Sequence, residues 1–85
     1  MNTTFFLMAQ YGRMIVPVDE VCRDYFTPHT LPTFLRKVGN GEIPLPVVRL
    51  DDSQKGPKGI NINDLAAYLD KQSEAARKEA RKLAS

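Results

Sequence analysis

In 85 residues the chain has one cysteine, one histidine and no tryptophan. A single thiol closes no internal disulfide, which fits a reducing compartment. Cys22 stands beside Val21 in an apolar-periodic stretch and reads as a small core residue rather than a reactive thiol. His29 has no second imidazole with which to share a metal, and it reads as an exposed turn residue. No glycine-rich phosphate loop, internal repeat or low-complexity linker occurs. Neither a cofactor nor a metal is expected. The apolar run from Phe5 to Ala9 is far shorter than a membrane span and lacks the basic flank of a secretory signal, so a cytoplasmic protein without a membrane partner is expected. A chain this short folds as one small domain and leaves little room for a substrate cavity with catalytic groups, which argues against an enzyme.

Excess charge is scarce too, with 12 Lys and Arg against 10 Asp and Glu. The total does not announce a polyanion partner, but the distribution says more. Residues 1–26 hold two basic and three acidic side chains, residues 27–62 five and three, and residues 63–85 five and four. The excess lies in the middle and at the end.

What is present begins with local helix signals. Asn2, Thr3 and Thr4 offer caps and Gly12 a stop, predicting a helix over 4–11. Phe5, Leu7, Met8 and Tyr11 are expected to dock on the body of the domain, the alternative being a partner-binding patch. Met14 to Val18 is β-branched and broken by Pro17, predicting a short strand before a second helix over 18–26. That helix has Asp19 and Glu20 at its positive end and Val21, Cys22, Tyr25 and Phe26 on one apolar face. After a turn at Thr27-Pro28-His29-Thr30, residues 30–38 predict a third helix, with Thr30 as cap, Pro32 in the first turn and Leu31, Phe34, Leu35 and Val38 as its apolar stripe. The opposite face shows Thr33, Arg36, Lys37 and Asn40.

Beyond Gly39-Asn40-Gly41, residues 44–50 and 59–62 read as two strands, with the prolines of the first confined to its start. Residues 51–58 between them are too long for a two-residue turn and rich in turn formers, which makes a wing. Asp51 and Asp52 are placed at its base, and Ser53, Gln54, Lys55 and Lys58 toward its tip. Asn63 is a cap candidate for a last helix whose buried face is Leu65, Ala66, Tyr68 and Leu69. From Gln72 onward that helix thins to alanines among charges; it either stands solvated or pairs with another protomer.

The order helix, turn, helix, strand, basic loop, strand is that of an α+β winged helix-turn-helix, over residues 1–71, with residues 72–85 as a charged, alanine-rich extension. In that architecture the second helix lies in the major groove of double-stranded DNA. There Arg or Lys meets guanine, Asn meets adenine, and Thr meets a base edge or phosphate. Wing residues touch phosphates or the minor groove. The expected DNA-binding set is Thr30, Thr33, Arg36, Lys37, Asn40, Arg49, Ser53, Gln54, Lys55 and Lys58. The competing reading is a solvated cationic helix end beside a solvated hairpin, since Arg and Lys in a last turn also suit the helix dipole.

The segments Phe5-Phe6-Leu7-Met8-Ala9-Gln10-Tyr11-Gly12, Val21-Cys22-Arg23-Asp24-Tyr25-Phe26, Phe34-Leu35-Arg36-Lys37-Val38, Pro46-Val47-Val48-Arg49-Leu50, Ser53-Gln54-Lys55 and Asp64-Leu65-Ala66 resemble, in order and over nearly the whole chain, the pyocin activator family. That resemblance implies a phage- or bacteriocin-linked transcriptional activator that binds promoter DNA, with RNA polymerase as a further partner. More loosely, residues 16–71 are similar to the excisionase and MerR-like module. Thr30, Leu31, Phe34 and Gly41-Glu42-Ile43-Pro44 fit it, while Pro32 and Thr33 stand where its basic pair would be. Three functions follow: a sequence-specific activator whose copies self-associate on DNA, an excisionase-like factor that bends DNA, and a protein-binding antirepressor that uses Phe5, Phe6, Met8 and Tyr11.

Overall fold

The computed structural model describes residues 2–53 and 56–84. Four helices and three strands follow in the order α1 (Thr3–Tyr11), β1 (Ile15–Pro17), α2 (Val18–Tyr25), α3 (Leu31–Gly39), β2 (Val48–Arg49), β3 (Lys58–Asn61) and α4 (Ile62–Ala84). The strands form one antiparallel sheet with β3 in the middle, β1 on one side and β2 on the other. Val16 lies opposite Ile60, and Arg49 opposite Lys58. This is an α+β domain of the expected class, compatible with a small winged-helix-like fold.

Local chemistry explains most boundaries. The Asn2 side chain accepts from the Phe5 amide at 3.2 Å, and Gly12, at φ 68°, closes α1 in the left-handed conformation that a Cβ disfavours. Thr30 Oγ1 accepts from the Thr33 amide and opens α3 ahead of Pro32. The cap of α4 differs from expectation. Asn61, not Asn63, accepts from a first-turn amide, that of Asn63 at 2.8 Å, because the helix starts directly off the end of β3. The strand expected over residues 44–50 shrinks to Val48–Arg49. Pro44 and Pro46 cannot donate to a ladder, so this stretch is held instead by burying Ile43 and Leu45.

Phe34, Leu7, Ile60, Ile62, Leu65, Val16 and Val21 are fully buried, and Phe26 stacks obliquely on Phe34 at 4.7 Å and on Tyr68 at 5.7 Å. Cys22 is in this core, and its thiol donates to the His29 carbonyl at 3.4 Å. His29 is half-buried rather than exposed for the same reason: its loop folds onto α2. The α1 expectation needs a larger correction. Leu7 is buried and Tyr11 half-buried, but Phe5 is 75% and Phe6 58% exposed, and Met8 is exposed with them. A nine-residue helix lays one stripe on the body, here Thr3, Thr4, Leu7 and Tyr11, and Phe5 and Met8 lie off that stripe.

Helix α1 runs antiparallel to α4, with Thr3 bonded to Asp70 at one end and the Ile62 amide bonded to the Met14 carbonyl at the other. Beyond this overlap α4 continues to Ala84, and from Asp70 on every described residue except Glu74 is exposed. The projecting half accounts for the 52 Å long axis against 28 and 19 Å.

Candidate nucleic-acid interface

The last turn of α3 and the root of the β2–β3 hairpin face one another. Leu35, Val38 and Gly39 from α3, Val47, and Arg49 and Lys58 from the hairpin line a single groove of about 210 Å³. Its lining is apolar apart from the cations Arg49 and Lys58. Arg49 and Lys58 sit directly opposite across the ladder, so their side chains leave the sheet on the same face. Like charges in that position repel, and no acidic side chain among the described residues pairs with either. Arg36 and Lys37, in the last turn of α3, are likewise free of ion pairs among the described residues. Arg36 is exposed and Lys37 half-exposed.

The remaining expected site residues divide. The Thr30 hydroxyl is occupied as the α3 cap and also donates to Thr33 Oγ1 at 3.0 Å. Asn40 is turned into its own loop, where its amide nitrogen donates to Glu42 Oε2 at 2.9 Å and its oxygen accepts from the Glu42 amide at 3.1 Å. In the β2–β3 hairpin, Asp51 Oδ1 accepts from the Ser53 amide at 2.5 Å, and the Leu50 amide donates to the Pro57 carbonyl at 3.1 Å, extending the hairpin one step past β2. Asp51 thus folds over the loop it opens. Gln54 and Lys55 lie outside the described residues.

Charge is handled differently around α1 and α2. Tyr11 donates to Asp24 at 2.6 Å, Arg23 pairs with Asp24 at 3.2 Å, and Arg13 pairs with Glu20. Burial and the neighbouring Asp24 carboxylate push the Tyr11 phenol well above the ordinary tyrosine range. The same phenol, with help from Arg23, holds Asp24 below the ordinary carboxylate range. The Tyr11–Asp24 bond ties α1 to α2, the Arg13–Glu20 pair ties the turn after α1 to α2, and the Arg23–Asp24 pair lies within α2. Nothing in the local sequence pattern signals them.

No group of three or more His, Cys, Asp or Glu suited to a metal occurs among the described residues, and no helix of theirs is long and apolar enough to cross a membrane. The domain is a small winged-helix-like one whose second paired helix and hairpin share a cationic groove. A family model described as pyocin activator protein PrtN matches residues 3–76, and the chain belongs to that family of transcriptional activators. No curated protein and no solved structure matches the chain.

Proposed function

We propose that this activator binds double-stranded DNA through the groove face, with α3 presented to the major groove and the hairpin to the flanking backbone or minor groove. The observation that carries the reading is the Arg49 and Lys58 pair, opposed across a ladder without a carboxylate and facing the helix end that bears Arg36 and Lys37. A phosphate backbone relieves that repulsion, whereas an internal fold gains nothing from it. Arg36 and Lys37 take the base-reading or near-base positions; Arg49 and Lys58 take phosphates. Thr33 sits on the same helix as a secondary contact. Thr30 and Asn40 act locally, as cap and loop clasp.

Four cations neutralise about four phosphates and Lys55 makes the total about five, so the slope of log affinity against log salt is about −3.6 to −4.5 per protomer. One module of this size covers roughly 600 to 1,000 Å² of protein surface on DNA, which supports modest affinity and makes pairing of copies on adjacent sites part of the reading. RNA polymerase is the further partner that activation calls for. The test is a titration of the full chain, at several salt concentrations, against duplex from upstream of its neighbouring genes. A slope near zero, or no binding at low salt, removes the proposal.

A further inference from the structure

Helix α1 carries no charged residue and turns Phe5, Phe6 and Met8 to solvent beside the point where α4 leaves the body. The projecting half of α4 has the complementary defect. Glu74 pairs with Arg77 at 3.1 Å and Arg81 at 3.3 Å along one face of it. At about 100° per residue, Ala76, Ala80 and Leu83 fall on a neighbouring face, with Arg77 at its edge, in phase with Ile62, Leu65, Ala66 and Leu69, which the body covers. Leu83 is 79% exposed. One chain therefore offers an uncovered apolar face of α1 and the bare continuation of a helix face that is elsewhere buried.

We propose that these two surfaces pair between two copies of this chain, each α4 extension crossing the Phe5, Phe6 and Met8 face of the other. A two-fold contact must be complementary to itself, and a patch plus its missing cover on the same chain meets that requirement. Area decides that both halves take part. With roughly 200 Å² for a bare aromatic side chain, the exposed fractions of Phe5, Phe6 and Met8 leave about 340 Å² open per chain. Two such patches alone bury about 700 Å², the size of an incidental contact. Leu83, the alanines and the aliphatic stems of the arginines and lysines add about as much again, bringing the sum past the ~1,200 Å² of a specific interface.

This deepens the paired-copy part of the proposed function by naming its surface, and its test is made first without DNA. Sedimentation of the full chain from roughly 1 to 100 μM gives a concentration-dependent dimer. The double variant F5E/F6E, and separately A80E/L83E, each weaken dimerisation at least about 100-fold, while circular dichroism of both stays that of the parent. Two independent variants keep the test open if one fails to fold. A monomer at every concentration, or a dimer indifferent to both variants, overturns the inference. A monomeric parent whose F5E/F6E variant loses activation in a reporter also overturns it, and assigns the patch to polymerase. A dimer that ignores DNA would leave this interface standing and remove the DNA reading; a monomer that binds DNA with the expected slope does the reverse.

Discussion

Arg13, Arg23, Arg77 and Arg81 each end on a carboxylate, whereas Arg36, Lys37, Arg49 and Lys58 end on none among the described residues. Both groups are at the surface of one small domain, and an exposed ion pair is worth about 0 to 1 kcal/mol in either case. Stability therefore does not account for the sorting. The paired cations have partners in their own or a neighbouring element, while of the unpaired four Arg49 and Lys58 line one groove and Arg36 and Lys37 stand in the last turn of the helix that forms its other wall. Under the proposed DNA reading, the counter-charge for these four comes from the phosphate backbone.

The comparison is broken most directly by removing each group in turn. R36A/K37A/R49A/K58A lowers affinity for duplex DNA at least about 100-fold at moderate salt, because it deletes most of the phosphate-neutralising charge. Its unfolding free energy stays within about 0.5 kcal/mol per site, as expected for surface positions without partners. R13A/R23A/R77A removes nearly as much formal charge and leaves DNA affinity within about threefold. Fluorescence anisotropy and denaturant unfolding on both variants check this. Equal losses in the two would mean that total charge alone matters.

How much of this was legible beforehand depends on the range of the interaction. Helix α3 could be read from Thr30, Pro32 and the Leu31, Phe34, Leu35, Val38 stripe, since cap and period are local. The hairpin showed itself through its glycine, proline and aspartate loop. The stretch over residues 44–47 misled because Ile43 and Leu45 alternate inward as a strand would, and nothing in that alternation reveals a missing ladder. Phe5 and Met8 are apolar but sit at helical angles away from the buried stripe, so apolar content alone does not place them. The clasp of Asn40 on Glu42 and the Tyr11–Asp24 bond depend on side-chain direction, and the second also on tertiary approach. The candidate site was legible as a set of cations; which of them stay unpaired was not.

A second prediction, smaller than the loss of DNA binding, sharpens the comparison at the strand both regions share. Gly59 on β3 lies between Pro17 on β1 and Val48 on β2. A Cβ there would overlap Ile15 Cγ2 and stand 3.1 Å from the Val16 carbonyl oxygen. Ile15 is branched at Cβ and cannot swing clear cheaply. Gly59→Ala should cost about 1 to 3 kcal/mol in denaturant unfolding, by crowding in an already packed sheet. DNA affinity should fall only as the folded fraction falls. Unchanged stability would mean that β1 and β3 are less closely apposed, and a specific loss of DNA binding in a fully folded variant would place Gly59 in the interface itself.

The smallest effect belongs to the paired region and appears as a pH dependence of stability. Tyr11 holds its proton more tightly in the folded protein than in the unfolded chain, so above about pH 10 the unfolded state binds fewer protons and stability falls as pH rises. Asp24, held low chiefly by the Tyr11 hydroxyl, contributes stability that is complete above the ordinary carboxylate value near 3.9 and is lost as pH falls through its lowered folded value. Tyr11→Phe should remove this alkaline limb and, by taking away the main donor to Asp24, flatten the acid limb as well. Both changes are modest because solvent screens the pair. Urea unfolding of parent and variant at acid, neutral and alkaline pH separates the two limbs. If the curves ran parallel at all three, the α1–α2 side would owe nothing to its charges and its cations would be no better committed than those of the groove.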